Sequence, residues 1–170
     1  MNISFRKAIK DDIPTIWEIL QQAIRRRRED GSIQWQDGYP NPDVVTHDIE
    51  KRSGYVLTEE DRVIAYCSIA INDEPEYLRL QGKWLTQGDF VVVHRIAVGD
   101  SDIGKGLATR FLIHAEEFAQ QHSVSSVRID TNFDNGPMLR VIQKQGFVYC
   151  GEVYFRGSPR RAYEKVLSKD

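Results

Sequence analysis

Gly104 and Gly106 lie in Asp89–Thr109, a segment that passes from a β-branched run through a turn into an amphipathic helical pattern. Glycine lets backbone approach an anion closely, and the unpaired N–H groups and positive dipole end of a following helix hold negative charge there. The chemistry on offer is binding of a phosphate or diphosphate, in one of two versions. Gly99–Lys105 fits the first seven positions of a nucleotide-binding P-loop, but the eighth residue is Gly106, where magnesium coordination needs Ser or Thr. More than half of the chain also precedes the turn, leaving few strands to build a parallel sheet after it. Nucleotide phosphotransfer is therefore set aside, and binding of another phosphate or diphosphate group by backbone amides is left open.

Around this turn the pattern alternates between periods of two and 3.6 residues. Residues 3–7 read as extended, after which Asp12 caps a helix with Pro14 in its first turn and Ile13, Ile16, Trp17, Leu20, Ala23 and Ile24 on one face. That helix ends near Asp30-Gly31, followed by a loop over 32–42 and a short helix over 43–52. Tyr55–Thr58 and Val63–Ile71 read as a hairpin across Glu59–Arg62, and 72–88 as a polar connection. Phe90–Val98 is the most β-like segment, and Leu107, Ala108, Phe111, Leu112, Ala115, Phe118 and Ala119 make the inner face of the next helix. Ser126–Asn132 is a strand, Asp134–Pro137 opens a helix that stops at Gly146, and Phe147–Phe155 with Arg161–Val166 form a hairpin across 156–159. The order is β-α-α-β-β-β-α-β-α-β-β, with no internal repeat or linker.

The 170 residues suit one domain, 1–170. With 41% hydrophobic and 28% charged residues and a formal charge of −2, the chain carries no global pull on nucleic acid or anionic membrane. Arg25–Arg28 reads as a solvated helix end whose cations suit the dipole, with a ligand or partner contact as the alternative. Cys67 and Cys150 lack metal-ligand spacing and disulfide-scaffold density, so both are expected as free thiols in a reducing compartment. No apolar stretch approaches a membrane span, and the N-terminus reads into strand and helix rather than a signal peptide. The expectation is a cytoplasmic protein without membrane, nucleic-acid or metal partners.

Ile103-Gly-Lys-Gly-Leu-Ala108 resembles the [Arg/Gln]-x-x-Gly-x-[Gly/Ala] signature of the GNAT superfamily of acyl-CoA-dependent N-acyltransferases, with Ile103 standing where the family has Arg or Gln. Asn135, a following helix, Gly146-Phe147 and the element order extend the likeness over essentially the whole chain. Trp35, Gly38-Tyr39-Pro40, His94–Ala97, Ile129–Thr131 and Tyr149–Gly151 resemble a bacterial branch of the superfamily, which brings no substrate with it. The resemblance implies an α/β (α+β) fold with a mixed, mostly antiparallel central sheet and helices on both faces. It also implies transfer of an acetyl group from acetyl-CoA to a primary amine of a small molecule or peptide, in a ternary complex. A homodimer is an assembly that the resemblance allows. The alternative from another class is a non-catalytic acyl-CoA sensor or partner-binding module.

By the same likeness, residues 103–109 (Ile103, Gly104, Lys105, Gly106, Leu107, Ala108 and Thr109) hold the coenzyme diphosphate, and backbone at Ile96, Ala97 and Val98 pairs with pantetheine. Asn135 would hydrogen-bond pantetheine or serve only as a helix cap; Pro137 and Met138 would wall the channel, or pack in the core. An amine nucleophile needs a proton acceptor at neutral pH. His94, Asp130 and then Asp89 compete for that role, against a core position for His94 and an ion pair of Asp130 with Arg95 or Arg128. A tyrosine that many members place in the last helix, serving as acid, is Ile142 here, leaving Tyr149, Tyr154 or Cys150 as substitutes. Trp35 and Tyr39 would meet a cationic acceptor by cation–π attraction, with Asp37 and Asp43 nearby, or staple their loop to the core.

Overall fold

The computed structural model describes residues 2–168. Its strands are β1 (Ile3–Lys7), β2 (Gly54–Glu59), β3 (Arg62–Ile71), β4 (Gln81–Gly82), β5 (Val91–Val98), β6 (Ser126–Thr131), β7 (Val148–Phe155) and β8 (Ser158–Val166). Its helices are α1 (Ile13–Glu29), α2 (Pro42–Glu50), α3 (Leu107–Gln121) and α4 (Gly136–Lys144), with short 3₁₀ turns at Lys10–Asp12, Pro75–Arg79 and Asp100–Asp102. The sheet order is β1-β2-β3-β5-β6-β8-β7-β4, with β5 and β6 parallel and β1-β2, β2-β3, β6-β8, β8-β7 and β7-β4 antiparallel. This is the mixed, mostly antiparallel α/β architecture expected from the sequence, with β4 and the 3₁₀ turns added.

Two compact units share the chain, the first drawn from Met1–Ile69 with Arg95–Ala108 and the second from Ala70–His94 with Thr109–Asp170. In unit 1, Ile16, Ile19, Leu20 and Ala23 of α1 pack with Val45, Val56, Val63, Tyr66 and Ala97, burying the stripe that the 3.6-residue period marks. Asp12 does not cap α1 with its side chain. Its carboxylate accepts from the Ile9 N–H at 2.8 Å and from Arg6, so it fastens the preceding turn to β1 instead. Asn41 is the cap of α2, its Oδ1 accepting from the Val44 N–H at 3.1 Å, and Pro42 takes the first helical position. The β2–β3 turn is shorter than the four residues expected, because Glu60 and Asp61 both adopt the positive φ of a two-residue hairpin turn.

In unit 2, Phe90, Val92, Val153 and Ala162 pack around Tyr77, which the 72–88 connection lays over the sheet. Within that connection β4 pairs with β7 through Gln81 opposite Glu152 and Gly82 opposite Gly151. A Cβ on Gly82 would lie 2.1 Å from the Cys150 carbonyl oxygen, and one on Gly151 2.3 Å from that of Gln81, so this close approach requires two glycines. The last hairpin turns on Arg156 and Gly157, both at positive φ, which starts β8 three residues earlier than the sequence suggests.

Candidate active site

The glycine turn belongs to unit 1 and is built from below by charge pairing. The Gly99 N–H donates to the Ile64 carbonyl at 3.0 Å, and Asp100–Asp102 form a single 3₁₀ turn. Arg26 donates to the Val98 carbonyl at 2.7 Å and also to Asp100, while Arg25 donates to Asp100 at 2.9 Å. The basic cluster is therefore not a free solvated helix end; two of its arginines clamp the start of the turn. Asp102, 2% exposed, accepts from both terminal nitrogens of Arg62 at 3.1 Å and from Lys105 Nζ at 2.7 Å. The hydrogen bonds from Arg62 hold its carboxyl below the usual aspartate range, against burial, with Lys105 adding to the effect. Lys105 also lies 3.5 Å from Glu59, so its ammonium is engaged beneath the turn.

Above this foundation Gly104 and Gly106 adopt φ of 87° and 73°, and an added Cβ at either would meet nothing within 4 Å. The conformation calls for glycine, and the space over it is open. Leu107 and Ala108 begin the fifteen-residue α3, Thr109 is its third residue, and Ile103 projects outward with 55% exposure.

On the strand before the turn, Arg95 has φ 57° and makes a bulge. Its side chain grips Asp48 with Nε at 2.9 Å and Nη2 at 2.6 Å, and Nη1 donates to the Tyr39 hydroxyl at 2.6 Å. Tyr66 donates to the same Asp48 at 2.5 Å. The bulge resets the alternation of β5. Ala97 becomes buried where simple parity buries Ile96 and Val98, which are half-buried. The β5–β6 ladder comprises Val91–Val93 opposite Val127–Ile129, so Ile96, Ala97 and Val98 lie outside it.

Unit 2 holds the acid–base candidates. His94 follows Phe90 and Val92 on one face, and its Nε2 lies 3.0 Å from Glu74 Oε1, off the direction a hydrogen bond requires. Tyr77 lies between the two candidates, its ring centroid 6.3 Å from that of His94 and its hydroxyl donating to Asp130 Oδ2 at 2.6 Å. Burial raises the Tyr77 phenol well above its ordinary value, and the Asp130 charge adds to this. Asp130 does not make the ion pair with Arg95 or Arg128 that stood as the alternative to a base role; Arg160 Nη1 lies 3.9 Å from it. Arg128 instead donates to Glu164 at 3.1 Å and to the Thr86 carbonyl at 2.8 Å, its guanidinium carbon 4.1 Å from the Trp84 ring and 4.4 Å from the Phe90 ring.

The remaining candidates fall in plain structural positions. Asn135 caps α4, accepting from the Met138 N–H at 3.3 Å and donating to Thr131 at 3.3 Å. Trp35 is not an exposed aromatic face; it is buried in the unit 1 core, where Tyr39 packs against it, half-buried. Asp89 accepts from the Asn72 amide at 2.9 Å. Ile142 is fully buried, and both cysteines are free thiols and buried. Burial pushes the Cys150 thiol up, which makes it a poor proton donor to a thiolate. Tyr149 is half exposed beside Tyr163, and Tyr154 donates to Glu152 at 3.5 Å. Glu74, Tyr77 and Arg160 escaped the sequence reading, since no spacing rule links the 72–88 connection to β6 and β8. Among the described residues no group of His, Cys, Asp or Glu is arranged to hold a metal, and no helix is long and apolar enough to cross a membrane.

Residues 16–147 match the model of the Acetyltransferase (GNAT) family. An acetyltransferase of that family from Streptococcus agalactiae 2603 is 32% identical, superposes with a TM-score of 0.88 and is covered over 96% of its length by 98% of this chain. YncA of Salmonella typhimurium, solved with its cofactor acetyl-CoA, shares the fold at a TM-score of 0.71 and 20% identity, with 100% of this chain aligned to 96% of it. The uncharacterized N-acetyltransferase YesJ of Bacillus subtilis (strain 168) is 24% identical over 148 residues, 85% of this chain and 81% of its own. With the family model spanning most of its length, the chain belongs to the GNAT acetyltransferase family.

Proposed function

We propose that the chain, acting as one acyltransferase domain, moves an acetyl group from acetyl-CoA to a primary amine of a small molecule or peptide by direct attack in a ternary complex. The observation that carries this reading is the open turn at Gly104 and Gly106, set at the start of α3 and clamped from below by arginines 25, 26 and 62. Backbone amides of 103–109 are assigned to the diphosphate. Lys105 contributes its amide rather than its ammonium, which Asp102 and Glu59 already engage. Ile96, Ala97 and Val98, free of the β5–β6 ladder, are assigned to pantetheine. Met138 is also assigned to coenzyme binding, while Asn135 holds the start of its helix and offers the remaining capacity of its amide.

In the transfer the amine nitrogen forms a bond to the acyl carbon, and the sulfur departs with the electron pair of the broken C–S bond. The proton lost by nitrogen is assigned to His94, backed by the Glu74 carboxylate. Asp130 is assigned to holding Tyr77 in place, because its carboxylate is buried and already accepts from the phenol. With Ile142 in the core and the Cys150 thiol raised, the sulfur leaves as the thiolate and takes its proton from solvent.

A glutamate at position 106 fills the cradle, strains a left-handed residue and adds a repelling charge. Gly106→Glu is expected to abolish coenzyme A binding in calorimetry, and unchanged affinity defeats the site assignment. The lack of a ready acid favours one second reading, binding without transfer. Steady thiol release from acetyl-CoA that depends on an amine decides for the enzyme. Tight binding with no such release across a broad amine panel decides for the sensor.

A further inference from the structure

Three arginines lie largely buried on the strands of the two units, and they are not equally used. Arg95 spends its guanidinium on Asp48 and Tyr39, and Arg128 on Glu164, Thr86 and two aromatic faces. Arg160, on β8 in unit 2, is 11% exposed and comes no nearer to Asp130 than 3.9 Å. Its Nε is buried without a hydrogen-bond partner among the described residues, and so is His94 Nε2. The Phe155 ring lies 5.3 Å from its guanidinium carbon. A buried guanidinium N–H left unmet costs free energy that an arriving oxygen acceptor returns, and a carboxylate fits the planar Nε/Nη edge with two parallel bonds.

The register places this arginine in a row with the acid–base candidates. Val93 opposes Ile129 and Asp130 opposes Ala162, so His94, Asp130 and Ala162 continue one face of β5, β6 and β8, with Arg160 two residues along β8 on that same face. Tyr77 and Asp130 bridge the two ends of the row. One end carries Glu74 and His94, suited to an ammonium and its proton; the other carries a slack cation.

We infer that this row is the acceptor site and that Arg160 selects an amine bearing a carboxylate, the amino-acid class, by turning its Nε/Nη edge onto that carboxylate. The inference rests on the acyltransferase reading and narrows its acceptor.

The test pairs each standard L-amino acid with its decarboxylated amine and its amide. Each compound is followed by acetyl-CoA-dependent thiol release and by calorimetric binding in the presence of free coenzyme A. Wild-type protein is expected to prefer at least one amino acid over its two partners by about 10- to 150-fold in kcat/KM, the range of a charge-assisted hydrogen bond. Arg160→Gln removes that preference chiefly through KM, bringing the amino acid down to the level of its decarboxylated partner, and Arg160→Lys restores part of it. Equal use of all three partners, equal losses across them in Arg160→Gln, or no carboxylate-dependent binding overturns the inference while acetyl transfer to other amines can stand. Carboxylate-dependent binding that Arg160→Gln abolishes, without thiol release from any compound, upholds the anion site and defeats the acyltransferase reading instead. Circular dichroism and urea unfolding of both variants separate loss of site from loss of fold.

Discussion

The Asp48–Arg95–Tyr39–Tyr66 network of unit 1 and the Glu74–His94–Tyr77–Asp130–Arg160 row of unit 2 are both buried, polar and built around a carboxylate. They differ in how completely they are satisfied. Every polar contact in the first is a hydrogen bond of 2.5 to 2.9 Å, and it ties a loop, a helix and a bulged strand together. In the second, His94 Nε2 and Arg160 Nε are left over. A closed network uses its low-dielectric surroundings to fix one backbone arrangement, whereas unmet donors and acceptors keep capacity for something that is not part of the chain. The comparison separates a group that builds the protein from one that waits on a ligand, although the two have similar residue content.

The largest expected effect falls on the closed network. Asp48→Ala leaves the Arg95 guanidinium and the Tyr66 phenol buried without their acceptor, and is expected to cost about 3–5 kcal/mol in urea unfolding. A cost under about 1 kcal/mol breaks the comparison. Glu164→Gln probes a second closed group, in which burial alone raises the carboxyl but hydrogen bonds from Ser126 and Thr86 and the charge of Arg128 bring it below its ordinary range. A carboxyl depressed by folding stabilises above its unfolded value of about 4.3, and that contribution fades as pH falls through the lower folded value. Glu164→Gln is therefore expected to lose about 1–3 kcal/mol at pH 7, with the gap to wild type narrowing below about pH 4.3 in matched urea titrations. A gap that is constant from pH 7 to pH 3 contradicts this account. The smallest stability effect belongs to Arg160→Gln, expected within about 1 kcal/mol of wild type because it breaks no hydrogen bond to the protein. A loss as large as that of Asp48→Ala makes the row a structural network like the other.

Elements with a sustained period were legible in the chain, from the α1 stripe to the β6 strand, because hydrophobic burial imposes that period. The glycine turn was legible too, since two glycines at a strand-to-helix junction mark backbone that other residues avoid. What stayed hidden depends on partners far along the chain. β4 is two residues long and exists because Gly82 can touch Gly151, which leaves no periodic trace. Arg25 and Arg26 read as solvated until Asp100 is seen beside them. The one residue at Arg95 that bends out of the strand conformation shifts every later side chain, so parity could not place Ile96 and Val98. Arg160 carries no motif at all, and its significance lies in what it fails to touch.

Around the glycine turn the four basic side chains Arg25, Arg26, Arg62 and Lys105 face four carboxylates, Asp100 and Glu29 beside the first two and Asp102 and Glu59 beside the others. Little unbalanced charge is left for mobile counterions to screen, so an anion seated there is gripped by peptide dipoles at contact range. Its affinity should then hardly change between dilute buffer and the ionic strength of a cell, which makes the turn a receptor indifferent to salt.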